Sequence, residues 1–181
     1  DEDSQLKFIA ENYDELYKRG GSPYADVSQA NETIARIRKQ PLMMRYLGGK
    51  HQKIMTGEIE GVPFKIKMDS FDPKEYIADL KYMASLRSPN LFTPMVEYWG
   101  YDIQAYFYTE LVRQQYKVNL PFYILAVTKE AAPDLMLVEL PDWLINSAGE
   151  VVKHYINRFD LIKKHEIDVF CLEFIQSTFC V

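Results

Sequence analysis

The sequence contains only two cysteines, Cys171 and Cys180, among its 181 residues. Two cysteines are too few for a disulfide framework, and their separation does not match the short spacing of a zinc half-site. The histidines His51, His154 and His165 also lack a ligand-like spacing. We therefore predict reduced thiols, as in a cytosolic protein, together with surface histidines and no structural zinc site.

Long apolar runs are also missing from the chain. No window approaches 18 uninterrupted apolar residues, which argues against a transmembrane helix. The residues from Asp1 to Ser4 are acidic and polar, which argues against a signal peptide. The sequence does not begin with methionine, so we expect that it is a fragment or that its start is missing. An N-terminal helix of the domain would then be absent.

An excess of basic residues is absent as well. Lysine and arginine together number 21 against 26 aspartates and glutamates, which gives a net charge of −5. Proteins that bind nucleic acid by charge alone are usually basic, because their affinity comes largely from neutralising phosphates. The charge therefore counts against a purely electrostatic DNA-binding module. It counts less against an acidic site whose carboxylates are compensated by bound divalent cations.

The spacing of apolar residues predicts a single domain, residues 1–181, of the α/β (α+β) class. Helical patterns occupy residues 4–19, 27–39, 42–47, 96–115 and 142–164. Strand patterns occupy residues 53–59, 62–69, 76–81, 121–128 and 135–140, and Glu60-Gly61 is a hairpin turn. Residues 82–95, which include Pro89 and Pro94, are expected to form a loop. This order predicts a mixed central sheet of about five strands, flanked by helices.

The polar residues that suggest chemistry lie on the second and third predicted strands. Asp69 ends the second strand, and Asp79 and Lys81 lie on the third. Because residues i and i+2 of a strand face the same side, Asp79 and Lys81 should project together, with Leu80 turned into the core. Two carboxylates at one point repel each other unless a cation lies between them. Mg²⁺ accepts carboxylates, a backbone carbonyl and waters, so we expect Asp69, Asp79 and the Leu80 carbonyl to be its ligands.

Lys81 has a role in the same hypothesis. Its ammonium could orient the water that the metal activates and neutralise the negative charge that develops on a phosphate. The spacing D-x9-D-x-K is nevertheless common, and a strand-edge aspartate near a lysine is usually a solvated pair. The three residues alone therefore leave both interpretations open.

The predicted helix that follows carries a glutamine on an aromatic face. Tyr101, Gln104 and Tyr108 stand at positions i, i+3 and i+7 and share one side of a helix. A buried glutamine needs hydrogen-bond partners, although a stripe of this kind by itself is more often packing than catalysis. Trp99 and Tyr101 could stack on an unpaired base. Core packing is an equal alternative for Trp99.

The segments FKIKMD, ADLK, YWGYDIQAYFY and LPFYILAVTKE follow one another in an order and at intervals that resemble the phage and prophage PD-(D/E)xK exonuclease-like domain. That group is similar to exodeoxyribonuclease VIII and, more distantly, to the nuclease domains of bacterial recombination helicases. The resemblance covers about residues 25–145. It implies a restriction-endonuclease-like fold and a deoxyribonuclease that depends on Mg²⁺, with Mn²⁺ as a substitute. It also implies site roles: Asp69 and Asp79 as metal ligands, Lys81 as the catalytic lysine, and Gln104 and Tyr108 as residues that support Lys81 and contact DNA.

The chain departs from the family pattern at several positions. Met68 stands where the pattern has its proline, and Tyr82 stands where relatives often have threonine. Relatives also supply a metal-site His or Glu from an N-terminal helix. Glu11 and Glu32 are candidates for this residue, and its equivalent lies before Asp1 if neither serves. The alternative function is therefore a catalytically incomplete DNA-binding or assembly module.

The resemblance also implies a biological setting. It implies an exonuclease acting on linear double-stranded DNA in phage recombination or repair, in the cytoplasm of a bacterial host and without a membrane. It is also compatible with a homo-oligomer and with a single-strand annealing protein as a partner. The apolar tail, residues 165–181, either packs on the domain or mediates self-association. Glu58, Lys65 and Lys67 are expected to be solvated strand residues, with a metal-site or phosphate contact as the alternative.

Overall fold

The computed structural model describes residues 2–86 and 92–164 of the chain. The predicted apolar tail, together with His165, Cys171 and Cys180, lies outside the described residues. The helices in the described part are α1 (Glu2–Glu11), α2 (Tyr13–Leu16), α3 (Ala25–Arg38), α4 (Pro41–Tyr46), α5 (Phe92–Tyr98), α6 (Tyr101–Tyr116) and α7 (Asp142–Lys163). The strands there are β1 (Lys50–Ile59), β2 (Val62–Asp72), β3 (Tyr76–Met83), β4 (Phe122–Thr128) and β5 (Leu135–Glu139).

These strands form one mixed sheet in the order β1-β2-β3-β4-β5. Strands β3 and β4 are parallel, and each of the other neighbouring pairs is antiparallel. The β1–β2 hairpin turns at Glu60 and Gly61, whose φ angles of 49° and 74° are those that a two-residue hairpin turn requires. The parallel pair is joined through α5 and α6, because parallel strands need a long crossover connection. The predicted mixed five-strand sheet and the α/β class are confirmed.

Helices cover both faces of the sheet, and β4 lies between the two resulting cores. Ile124 and Ala126 belong to the larger core, which packs against α6 and α7. Leu125 and Val127 belong to the smaller core, which packs against α3 and α4. All four side chains are fully buried or nearly so. This two-sided burial explains why residues 121–128 form a nearly continuous apolar run, which is typical of a strand that is buried on both faces.

Two predicted helices are each divided in the structure. The helix predicted over residues 4–19 stops at Glu11, where the Asn12 side chain donates a 2.8 Å hydrogen bond to the Phe8 carbonyl. Such side-chain bonds compete with the helical ladder. The helix predicted over residues 96–115 is divided at Gly100, whose φ of 68° lies in the left-handed region that ends helices.

The predicted loop over residues 82–95 is wrong at both of its ends. Strand β3 continues to Met83, and helix α5 already begins at Phe92. Part of the remaining prediction, residues 87–91, lies outside the described residues. Proline is tolerated in the first turn of a helix, and this tolerance accounts for Pro94 inside α5.

The inward and outward alternation of β2 slips once, and this slip positions the candidate site. Met68 and Phe71 are three residues apart, yet both are fully buried in the larger core. A regular strand would place residues of that spacing on opposite faces. Asp69 lies inside the slip. Directly across the hairpin, Gln52 has a φ of 50° and interrupts the pairing of β1 with β2 between His51 and Lys53.

None of the helices in the described residues is long and apolar enough to cross a membrane.

Candidate active site

The candidate site begins where strands β2 and β3 separate. Their pairing runs from Asp72 opposite Tyr76 to Ser70 opposite Ala78 and ends there. Beyond that point a side chain joins the two strands: Asp69 Oδ2 accepts a 3.1 Å hydrogen bond from the Leu80 backbone N–H. The separation leaves room between the strands for a carboxylate.

Asp79 is the buried acid of this site. Its residue is 4% exposed, which is rare for an aspartate. Its Oδ1 accepts a 2.8 Å hydrogen bond from Gln104 Nε2, and its Oδ2 lies 2.6 Å from the Lys81 ammonium. Lys81 in turn donates a 2.7 Å hydrogen bond to Gln104 Oε1. Asp79, Lys81 and Gln104 therefore form a closed triangle in which each side chain contacts the other two.

Helix α6 supplies one whole side of the site. The ring of Tyr101 lies 4.5 Å from Lys81 Nζ, in a cation–π contact. One turn further along is Gln104, and one turn beyond that Tyr108 donates a 2.7 Å hydrogen bond from its hydroxyl to the Lys67 carbonyl. The stripe that the sequence places on one helical face thus contacts the two strands that carry the acids. The Tyr108 ring also packs edge-on against Phe122, 5.9 Å between centroids.

The prediction that Leu80 turns into the core is wrong. Its side chain is 38% exposed, whereas its neighbour Asp79 is buried against α6. On this face of β3 the smaller core includes Tyr76 and Ala78 and does not include Leu80. The Leu80 backbone is part of the site through its N–H. The role of its carbonyl as a metal ligand stays a prediction.

Burial governs the electrostatics of the site. Desolvation raises the pKa of the Asp79 carboxyl above its ordinary value, and the charge of Asp69 adds to this rise. The Lys81 ammonium and the Gln104 amide lower the same pKa without cancelling the effect of burial. Burial likewise raises the pKa of the Tyr108 hydroxyl. The site thus holds a carboxylate that pays a desolvation cost for being charged.

This raised pKa predicts a pH-dependent stability difference between wild type and Asp79→Asn. A carboxyl whose pKa is raised by folding stabilises the protein below its unfolded pKa of about 3.9, and that contribution is lost as pH rises through the folded pKa. Asparagine does not titrate, so the variant does not lose stability in this way. In the presence of EDTA, urea unfolding should therefore show the variant gaining stability relative to wild type as pH rises through this window. A difference that is constant or shrinks with pH would contradict the raised pKa.

The other residues weighed from the sequence lie away from this triangle. Glu58, Lys65, Lys67, His51 and His154 are all exposed, as predicted. Glu11 is exposed and lies 3.9 Å from Lys7 in an ion pair, and Glu32 is exposed on α3. In the described part of the chain no hydrogen bond joins either glutamate to the site. Across residues 2–86 and 92–164, no group of three or more His, Cys, Asp or Glu is arranged to hold a metal.

One residue of the site was missed by reasoning from the sequence. Gln52 Nε2 donates a 3.1 Å hydrogen bond to Asp69 Oδ1, so both oxygens of Asp69 are held by defined donors. A signal did exist, because counting outward from the Glu60-Gly61 turn places Gln52 opposite Asp69. The left-handed backbone of Gln52 could not be foreseen, since glutamine has no preference for that region.

A mixed sheet whose separating strands present Asp69, Asp79 and Lys81 beneath a glutamine-bearing helix defines a PD-(D/E)xK-like domain. Residues 2–171 match the family described as PDDEXK-like domain of unknown function (DUF3799), and the chain belongs to this family. The chain is also similar to a solved crystal structure from Eubacterium rectale that is named "Putative exonuclease".

The similarity to that structure has a TM-score of 0.77 at 38% sequence identity and covers 92% of this chain. It covers 64% of the Eubacterium rectale chain, so this chain spans less than two thirds of that relative's length. No curated protein matches the sequence.

Proposed function

We propose that this domain is a metal-dependent DNA phosphodiesterase of the PD-(D/E)xK type. The observation that carries the proposal is the closed contact among Asp79, Lys81 and Gln104, with Asp69 beside it. A buried aspartate in contact with a lysine that is 19% exposed is unusual as a stabilising feature, because such pairs often contribute little to stability. Perturbed groups of this kind cluster at functional sites.

The two aspartates fit a hard divalent cation. Asp79 Oδ2 is buried and forms an ion pair with the Lys81 ammonium 2.6 Å away, and an ionised carboxylate oxygen can accept more than one partner. It therefore has acceptor capacity left for a cation. Mg²⁺ typically binds through one or two carboxylates together with waters, so Asp69, Asp79 and the Leu80 carbonyl are a sufficient donor set. When bound, Mg²⁺ or Mn²⁺ would supply positive charge next to the phosphate.

The chain's own residues would then position and neutralise the substrate. Lys81 would donate hydrogen bonds to the attacking water or to a phosphate oxygen and stabilise the negative charge that develops there. Gln104 would hold Lys81 in place, because its amide oxygen accepts from Lys81 while its amide nitrogen donates to Asp79. Tyr101 contacts the free side of Lys81, and Tyr108 fixes α6 to β2 through the Lys67 carbonyl.

The finer assignment is an exonuclease acting on linear double-stranded DNA. It is supported by the name of the Eubacterium rectale relative and by the order of motifs that resembles the exodeoxyribonuclease VIII-like group. We further propose that residues 1–181 form a single domain. Four further statements stay predictions: a role in phage recombination, a location in the bacterial cytoplasm, assembly into a homo-oligomer, and a single-strand annealing protein as partner.

Digestion of labelled DNA tests the proposed function. Linear duplex DNA labelled at one end and covalently closed circular DNA of the same sequence would be incubated with the protein in Mg²⁺, Mn²⁺ or EDTA. An exonuclease should release label from the linear DNA in either metal, leave the circle closed, and do nothing in EDTA. Cleavage of the circular DNA would show that the activity is that of an endonuclease and not that of an exonuclease. Absence of cleavage on every DNA form in both metals would contradict the proposal.

A second candidate function is a DNA-binding or assembly module with incomplete catalysis. The described residues contain no third carboxylate or histidine grouped with Asp69 and Asp79, which favours this candidate. It predicts that the protein binds linear DNA in a gel-shift assay but cleaves none in Mg²⁺ or Mn²⁺. Cleavage abolished by Lys81→Ala would contradict it.

A further inference from the structure

A cavity of about 790 Å³ opens beside the candidate site, between the end of β3 and helix α5. Among the described residues that line it are Met83, Pro94, Met95, Tyr98, Trp99 and Tyr101. Its volume lies within the range of natural ligand pockets, about 300–1,000 Å³. None of its described lining residues is charged. The cavity therefore suits a flat, uncharged group better than a phosphate.

Two aromatic side chains of this cavity are unusually exposed. Tyr98 is 80% exposed and Trp99 is 62% exposed, and their rings are in edge-to-face contact with centroids 5.1 Å apart. Neighbouring large aromatic residues on a surface are more informative than single ones, because contiguous apolar surface marks binding sites. Both precede Gly100, whose left-handed backbone turns the chain from α5 into α6. They therefore lie at the junction between α5 and α6.

Tyr101 makes the cavity continuous with the candidate active site. It lines the cavity, and the same ring lies 4.5 Å from the Lys81 ammonium. A phosphate that contacts Lys81 would therefore lie next to a residue that lines the cavity. The base attached to a neighbouring nucleotide is flat, uncharged on its faces and suited to stacking on aromatic rings.

We propose that this cavity binds unpaired bases of the DNA strand next to the phosphate held at Lys81, with Trp99 and Tyr98 as the stacking residues. The inference rests on the proposed nuclease function and narrows its substrate class to DNA ends whose terminal nucleotides are single-stranded or separated. Stacking is tolerant of sequence, because every base has an aromatic face. The site therefore selects unpaired nucleotides and not a particular base.

Trp99 fluorescence tests base binding separately from cleavage. The chain has two tryptophans, Trp99 and Trp143, so Trp143→Phe leaves Trp99 as the only reporter. This variant would be titrated in Ca²⁺ with fluorescein-labelled oligothymidylate and with an abasic oligonucleotide of equal length, which keeps the phosphates and lacks the bases. Anisotropy of the label measures binding independently, and a gel checks that the DNA remains intact.

The expected result is that oligothymidylate quenches Trp99, whereas the abasic strand binds roughly 5- to 100-fold more weakly, the range set by the stacking of one base, and leaves Trp99 unquenched. Equal affinities, quenching by the abasic strand, absence of quenching despite bound label, or absence of oligothymidylate binding would each overturn the inference.

Variants of the stacking residue provide the kinetic test on duplexes with a single-stranded overhang. Trp99→Ala should raise KM roughly 5- to 100-fold and change kcat little, while Trp99→Phe, which keeps a ring, should restore most of the affinity. Trp143→Ala is the matched control, because Trp143 is also 62% exposed and does not line the cavity. If wild type cleaves linear DNA and Trp99→Ala behaves like the control, the inference fails and the proposed function stands. If Trp99 is quenched by bases and no DNA is cleaved, the proposed function fails and base binding stands.

Discussion

Replacing Lys81 with alanine should lower the rate of DNA cleavage by about 10²–10⁴-fold, the usual effect of removing a group that stabilises charge or directs a proton in the transition state. The expectation follows from the position of the Lys81 ammonium, 2.6 Å from Asp79 Oδ2 and 2.7 Å from Gln104 Oε1. Rates would be measured under single-turnover conditions with saturating protein, so that weaker DNA binding does not mimic slower chemistry.

Two controls separate this effect from damage to the fold. Lys74→Ala removes an exposed lysine from the turn between β2 and β3 and should keep wild-type rates. Lys81→Gln removes the charge but can still donate a hydrogen bond to the Asp79 carboxylate, which limits the destabilisation that a buried carboxylate without a partner would cause. Melting temperatures of all variants would be compared. A folded Lys81→Gln protein that cleaves DNA within a few-fold of wild type would contradict a catalytic role for Lys81.

The parts of the fold that could be predicted from the sequence are those with strong local signals. The apolar run of β4 and the Glu60-Gly61 hairpin turn each have a single physical explanation, and both are present. The side-by-side projection of Asp79 and Lys81 follows from strand geometry alone, and the two side chains are in contact. The helical spacing of Gln104 was informative for the same reason, because a periodic pattern does not depend on distant parts of the chain.

The parts that could not be predicted depend on tertiary contacts. Leu80 is apolar and should be buried by its type, but the smaller core on its side of the sheet does not include it, and it is exposed. The slip in β2 that brings Asp69 to the gap lies where β2 and β3 separate and opposite the left-handed backbone of Gln52. Neither feature has a local sequence signal. The sequence shows a glycine inside the helix predicted over residues 96–115. It does not show that Gly100 has a φ of 68° and divides that helix.

The consequence for function is that the aspartates differ in how firmly they are held. Asp69 receives hydrogen bonds on both oxygens, from Gln52 and from the Leu80 backbone. Asp79 is more deeply buried, and one of its oxygens forms an ion pair with Lys81. Asp79 is thus the residue whose charge depends most on nearby cations, and its removal should have the largest effect on metal binding.

Binding of Mn²⁺ measured by isothermal titration calorimetry tests the metal-dependent site most directly. Wild type should bind Mn²⁺ in a saturable manner, and Asp79→Ala should lose at least about 10- to 100-fold in affinity, since even the loss of residues that only support metal ligands has effects of that size. Glu58→Ala is the matched control, because it removes an exposed carboxylate from β1 and should bind Mn²⁺ as wild type does. Wild-type protein that binds no Mn²⁺, or Asp79→Ala protein that binds it as tightly as wild type, would contradict the account.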